Sequence, residues 1–170
     1  MRLLRPGTRA ALGVMSILAL FQASGVSTQA QSNNPFVGTW RLISIESRGP
    51  DGNILPGPNP VGGVNPTGTV MYDAAGHVSL QIMPSGRPSS VNILQPISPD
   101  QAKDALFGYI AYYGTYTLDE PGRVMHIHFD GSLNPSMVGT DGERFYEFSG
   151  NRMTFRAGAN TRLSWERVSR

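Results

Sequence analysis

The chain has 170 residues with 14 basic and 12 acidic side chains, and it contains no cysteine. The lack of cysteine excludes disulfides, zinc sites built on thiolates and cysteine nucleophiles. The sequence also contains no phosphate-binding loop, nucleophile elbow or metalloprotease motif, and its basic residues form no cluster of the kind that binds nucleic acids.

The first thirty residues have the pattern of a secretory signal peptide. Three arginines form a positively charged start, an apolar run follows over residues 10–21, and small residues lead to Ala30. The apolar run is too short to cross a hydrocarbon core of about 30 Å as a helix. We therefore expect a signal peptide over residues 1–30, cleavage after Ala30, and a secreted or periplasmic protein without stable membrane insertion.

Removal of the signal segment changes the charge balance. The segment carries three of the 14 basic residues and no acid, so residues 31–170 hold 11 basic and 12 acidic groups, a net charge of −1. Such a chain has no excess of positive charge with which to bind a polyanion, and we expect no nucleic-acid partner. Its length suits one domain with its own core over residues 31–170.

The rest of the chain is typical of short strands separated by turn residues. A loop rich in Pro and Gly over residues 49–66 has the length of a lid or binding loop. One helix is predicted, with Ser98 as N-cap and Pro99 as first residue, ending near Ala111 and plugging one end of the sheet. The predicted strands cover residues 40–47, 68–73, 77–83, 112–118, 123–129, 143–148, 152–156 and 162–168.

Strand spacing alone leaves a sandwich and a closed barrel open, but a set of ordered motifs adds to it. The motifs are Gly38-Thr39-Trp40, the stretch over residues 72–83, Arg87-Pro88, Gly114-Thr115-Tyr116 and the stretch over residues 131–141. Together they resemble the bacterial and fungal lipocalin-like domain family, which has a Gly-x-Trp signature at its first strand. The resemblance implies an all-β, up-and-down antiparallel eight-stranded barrel with an apolar cavity, here accompanied by one short helix.

In that family a late arginine packs on the signature tryptophan. The resemblance therefore implies that Arg162 or Arg167 stacks on the indole of Trp40, with a cation–π contact as the physical reason. The tyrosines Tyr109, Tyr112, Tyr113 and Tyr116 are interpreted as ordinary packing rather than as the lining of a cavity mouth.

His126 and His128 are the sharpest candidates for chemistry. Residues two apart on a strand point to the same side, so the two imidazoles stand about 7 Å apart. Three interpretations stay open: the pair faces solvent on the outer wall, lines the cavity, or acts in catalysis or metal binding with Asp130 as a third ligand. The apolar residues Ile127 and Phe129 alternate with them and would normally be the inward set.

Arg144 and Tyr146 share one face of a later strand. An arginine inside a cavity needs a carboxylate or a ligand anion to offset its desolvation, so Arg144 would anchor an acidic head group there. The alternative places it at the rim, paired with Glu147 or another acid. The full set of predicted ligand-binding residues is His126, His128, Arg144, Tyr146, Tyr72 and Arg87.

The sequence thus predicts a binding protein outside the cytoplasm that holds a small apolar or amphipathic ligand in a barrel cavity, without a cofactor or metal. Two alternatives stay open. One is a cofactor-free isomerase, cyclase or hydratase that uses a cavity histidine as acid and base. The other is a barrel packed by its own side chains with a structural or partner-binding role, in which no cavity of about 300 Å³ would remain.

Overall fold

The computed structural model describes residues 34–55, 62–87 and 91–169, so the predicted signal peptide lies outside the described residues. The described chain is mostly strand, with one α-helix, α1 (Pro99–Leu106), and one 3-10 turn (Pro135–Met137). The strands are β1 (Gly38–Ser47), β2 (Pro66–Tyr72), β3 (His77–Pro84), β4 (Ile110–Asp119), β5 (Val124–Ser132), β6 (Asp141–Ser149), β7 (Arg152–Ala157) and β8 (Thr161–Ser169).

The eight strands form one closed antiparallel barrel in chain order. Each strand pairs with the next, and β8 closes the ring by pairing with β1, with Trp40 opposite Arg167 and Leu42 opposite Trp165. Closure leaves no unpaired edge among the described strands, which protects the sheet from pairing with other chains. The predicted up-and-down eight-stranded barrel is confirmed.

Side-chain alternation separates the interior from the outer wall. On β3, Val78, Leu80 and Ile82 are buried, whereas His77 and Met83 are exposed. The same period of two runs through β1, β4, β5, β7 and β8 and gathers the apolar side chains into one core inside the ring. The side chains that are most completely buried are Trp40, Trp165, Phe36, Ile82, Met125, Ile127, Met153, Val70 and Val78.

The turn between β2 and β3 is organised by one carboxylate. Asp73 Oδ1 accepts hydrogen bonds from the backbone N–H groups of Ala75 and His77, and Oδ2 lies 2.7 Å from His77 Nδ1. Burial alone would raise the pKa of Asp73, but the hydrogen bonds from His77 and Ala75 hold it below its usual value. Gly76 completes the turn with a φ of 90°, a conformation that glycine adopts readily.

Helix α1 begins as predicted and ends earlier than predicted. Ser98 caps it, with its side chain accepting from the Gln101 backbone N–H in a capping box. The helix ends at Leu106 rather than near Ala111, because Gly108 takes a left-handed φ of 72° and β4 begins at Ile110. Ala105 is its one buried residue, and no residue of α1 lines the interior cavity, so the helix does not plug the barrel.

The two ends of the barrel differ. The short turns after β2, β4 and β6 lie at one end, together with the residues that precede β1. The longer connections after β1, β3 and β5 lie at the other end, and α1 and the 3-10 turn belong to them. We call these the closed end and the open end. In the described ranges, no helix has the length and apolar character needed to span a membrane.

Candidate ligand cavity

An aromatic cluster fills the closed end of the barrel. Phe36, just before β1, is fully buried and sits at its centre, 4.8 Å from the Tyr146 ring and 4.9 Å from the Phe148 ring between centroids. Tyr116 ties the cluster to the preceding segment, because its hydroxyl accepts from Asn34 Nδ2 and donates to the Asp73 carbonyl. The rings that contact Phe36 belong to Tyr72, Tyr116, Tyr146, Phe148 and Phe155.

Trp40 and Arg167 seal the same end. The Trp40 indole N–H donates to the Phe36 carbonyl oxygen at 2.7 Å, and the Arg167 guanidinium carbon lies 4.0 Å from the centre of the indole. Arg167 also donates to the carbonyl oxygens of Val37, at 2.8 Å, and Pro35. The implied contact between a late arginine and the tryptophan is confirmed, and it is the later of the two candidate arginines that makes it.

Between the closed end and the open end the barrel holds a cavity of about 290 Å³. This volume is near the lower limit of the roughly 300–1,000 Å³ that small-molecule sites span. The interior is therefore not filled by the protein's own side chains. The apolar part of the lining includes Leu80, Ile82, Ile110, Ile127, Phe155 and Leu163.

Among the described residues that line the cavity, Arg144 is the one that carries a charge. It faces inward because Gly142, Arg144 and Tyr146 lie on the more buried face of β6, while Glu143 and Glu147 are exposed. Arg144 Nη1 donates to the backbone carbonyl oxygen of Glu143 at 2.8 Å. In the described part of the chain no carboxylate lies within 4.0 Å of its guanidinium, so the predicted alternative of a pair with Glu147 is wrong.

Two buried tyrosines lie near this guanidinium. Burial raises the pKa of Tyr72 well above its ordinary value, the phenol of Tyr112 raises it further, and the charge of Arg144 opposes both. Burial also raises the pKa of Tyr112, against the charge and a hydrogen-bonding contribution of Arg144. Both phenols are therefore neutral at ordinary pH and can donate a hydrogen bond to a ligand.

A family model for a lipocalin-like domain matches residues 37–169. The chain belongs to the lipocalin-like domain family. Similar solved structures include an uncharacterized protein from Bacteroides eggerthii DSM 20697 (14% identity, TM-score 0.42, covering 78% of this chain and 99% of that one). A mutant of the fluorescent protein UnaG is also similar (13% identity, TM-score 0.34, covering 78% and 96%). No curated protein matches the chain.

The structure brings two of the six predicted site residues, Tyr72 and Arg144, to the lipocalin-like cavity. It also adds Tyr112, which the sequence pattern had assigned to ordinary packing. The signal for Tyr112 was its position on the same face of β4 as Gly114 and Tyr116, since alternation turns that whole face inward.

Tyr146 and Arg87 do not line the cavity, so the binding role predicted for them there is corrected. Tyr146 faces inward, but its ring packs against Phe36 in the aromatic cluster of the closed end. Arg87 is exposed on the connection after β3, where it donates to the carbonyl oxygen of Ala105 and lies 5.0 Å from the centre of the Tyr109 ring. It therefore links α1 to the first residues after β3.

His126 and His128 lie on the outer wall of the lipocalin-like barrel, and the prediction that they line the cavity is wrong. Their side chains are 46% and 48% exposed, because the apolar residues that alternate with them face inward. His128 Nδ1 is 2.7 Å from an Asp141 carboxylate oxygen, and His126 Nδ1 is 3.5 Å from Glu143. Within the described ranges, no group of three or more His, Asp or Glu side chains could hold a metal ion.

The position of these histidines bears on the enzymatic alternative. A general acid or base must come within hydrogen-bond reach of the group whose proton it transfers. Both imidazoles lie outside the ring of strands, so neither can reach a molecule held in the cavity. The geometry therefore favours binding over acid and base catalysis by these two residues.

Proposed function

We propose that this lipocalin-like protein binds a small, mostly apolar or amphipathic molecule in its barrel cavity, and that it does so outside the cytoplasm. The observation that carries the proposal is the cavity of about 290 Å³ beneath an open end, with an apolar lining and a few polar groups. A preformed cavity of this kind binds by removing apolar surface from water, and its polar groups orient the ligand.

The loops around the open end support the proposal. Among the described residues outside the strands, the large apolar side chains that are exposed all belong to the connections at this end. An apolar molecule that approaches the cavity meets this surface first and begins to lose its water there. These residues are Ile54, Leu55, Val64, Ile93, Leu94, Leu106, Phe107, Leu133 and Val138.

The closed end supports it in a different way. The aromatic cluster around Phe36 and the stacked pair of Trp40 and Arg167 keep the barrel shut beneath the cavity. The floor of the cavity is therefore built from the protein's own packed side chains and is in place before a ligand arrives. Such preorganisation lowers the entropic cost of binding.

The proposal can be tested with a matched pair of variants and the neutral probe N-phenyl-1-naphthylamine, whose fluorescence rises in apolar surroundings. Ala157 lines the cavity, so Ala157→Phe fills part of its volume, whereas Ala75 is exposed in the turn at the closed end. We expect the wild type and Ala75→Phe to bind the probe and Ala157→Phe to lose at least about tenfold in affinity. Equal binding by all three proteins would show that the probe does not use the cavity.

The location outside the cytoplasm rests on the signal-peptide pattern of residues 1–30 and needs its own test. We expect the protein expressed from its full sequence to accumulate outside the cytoplasm with Gln31 as its first residue, measured by intact-mass spectrometry of fractionated cells. Full-length protein that stays in the cytoplasmic fraction would contradict the proposed location without touching the cavity.

A further inference from the structure

The cavity contains a positive charge that the protein does not neutralise. Arg144 lines it, and among the described residues no carboxylate lies within salt-bridge distance of its guanidinium. One of its five N–H groups is used by the Glu143 carbonyl. Apart from Arg144, the lining of the cavity is neutral and mostly apolar, and a charge without a counter-ion is unfavourable in such surroundings.

Neutral donors lie beside this charge. The Tyr112 side chain is close enough for the Arg144 charge to act on its phenol, and the same charge also acts on Tyr72. Both hydroxyls are buried with their rings in the cavity lining. A guanidinium with neighbouring phenol O–H groups provides several donors to one acceptor group, which is the arrangement that a carboxylate binds best.

We propose that the natural ligand is an amphipathic monocarboxylic acid, with its carboxylate against Arg144 and Tyr112 and its hydrocarbon part in the apolar cavity. This inference rests on the proposed function. A single cation matches a single negative charge, whereas a doubly charged phosphate monoester would bring one unpaired charge into the apolar lining. An alcohol or alkane of the same shape would leave the guanidinium without a counter-ion.

The position of Arg144 along its strand lowers the desolvation cost of pairing it with a carboxylate. Arg144 is the fourth residue of β6, which starts at the open end, and it is only partly buried. The carboxylate therefore keeps part of its hydration while the hydrocarbon part occupies the drier space lined by Phe155, Leu163 and Trp165. Partial hydration reduces the cost that a fully buried ion pair would carry.

Gly142 is a positioning residue for this head-group site. A Cβ atom at Gly142 would lie 2.9 Å from the ring of Phe129 and 3.4 Å from Arg144 Nη1. The missing side chain thus leaves room for the guanidinium to lie beside the aromatic ring.

The test compares decanoate with decanol by isothermal titration calorimetry at neutral pH, where the acid is ionised. We expect the wild type to bind decanoate about ten- to a hundredfold more tightly than decanol, the range for a hydrogen bond to a charged group. Arg144→Met should lose this preference and keep its affinity for decanol within about threefold. Arg144→Lys, which retains the charge without the planar fork, should keep part of the preference.

Arg156→Met is the matched control. Arg156 is exposed on the outer face of β7, with its guanidinium carbon 4.8 Å from the centre of the Phe145 ring, so its replacement should leave the preference for decanoate unchanged. A wild type that binds both molecules equally, or an Arg144→Met protein that still prefers the acid, would overturn the inference while leaving the cavity intact. Failure of the wild type to bind either molecule would instead contradict the proposed function.

Discussion

The aromatic cluster at the closed end should carry a large share of the stability of the barrel, and Phe36→Ala measures it. Phe36 is fully buried and in contact with five other rings, with centroid distances from 4.8 to 6.3 Å. Truncation of a buried phenylalanine to alanine costs about 3–5 kcal/mol, and such well-packed ring pairs place this site toward the upper part of that range. For a domain of this size the loss corresponds to a fall in Tm of roughly 10–15 °C.

The assay is thermal unfolding followed by circular dichroism, supported by calorimetry to check reversibility. Phe107→Ala is the control, because it makes the same truncation at a side chain that is 60% exposed on the open end. We expect its Tm to change by less than about 2 °C. If the two variants lost the same amount of stability, the reasoning that the Phe36 cluster holds the closed end together would be refuted.

Three further changes test other contacts. Arg167→Met removes two hydrogen bonds from a charged group and the cation over Trp40, so the free energy of unfolding in urea should fall by about 2–4 kcal/mol. Gly114→Ala would place a Cβ atom 1.9 Å from the His128 carbonyl oxygen, so soluble folded protein should largely disappear in gel filtration. The pKa of Asp73 is lowered in the folded state. Its contribution to the stability of the fold is therefore fully present above the unfolded pKa of about 3.9 and is lost as the pH falls through the folded pKa. Asp73→Asn should accordingly flatten the decline in Tm below about pH 4.

Each of these has a result that would contradict it. An unchanged urea midpoint for Arg167→Met would mean that the guanidinium contributes little to closure. A well-folded Gly114→Ala protein would mean that the bulge between β4 and β5 can move aside. A steep acid transition that survives in Asp73→Asn would assign the pH dependence to other carboxylates.

The strand positions were predictable from the sequence because most strands alternate apolar and polar residues between turn residues, whereas their closure into a barrel was implied by the family resemblance. Val78, Leu80 and Ile82 alternate with polar residues before the turn signals repeat, and this pattern continues around the ring. The end of α1 was misplaced because apolar spacing continues beyond Leu106. Gly108 was the available stop signal, since glycine commonly follows the last helical turn.

The candidate site was only partly predictable, and β5 and β6 show why. On β5 the apolar set Met125, Ile127 and Phe129 already indicated that the histidines point outward, although two imidazoles on one face of a strand also suit a cavity lining. On β6 the shared face of Arg144 and Tyr146 was read correctly, but one residue reaches the cavity and the other packs under Phe36. Depth inside a barrel depends on strand stagger, which alternation within a single strand does not contain.

The cavity itself could not be deduced from the sequence for a related reason. An eight-stranded ring has room either for packed side chains or for a small ligand, and the difference is a volume of a few side chains. That volume depends on the positions of the large side chains that line the cavity, among them Tyr72, Phe155 and Trp165. The absence of a carboxylate near Arg144 likewise depends on distances between strands rather than on the composition of any one strand.

The ring is completed by the pairing of β1 with β8, so the strand that closes the barrel is the last of the eight strands to be synthesised. Until Thr161–Ser169 has been synthesised, the other seven strands can form only an open sheet, in which β1 and β7 are unpaired edge strands. Unpaired edge strands readily pair with strands of other molecules. We therefore expect a chain truncated before β8 to self-associate instead of folding as a monomer. Closure of the barrel is thus a late step in folding. Removal of β8 should therefore destabilise the protein more than the small number of deleted residues suggests.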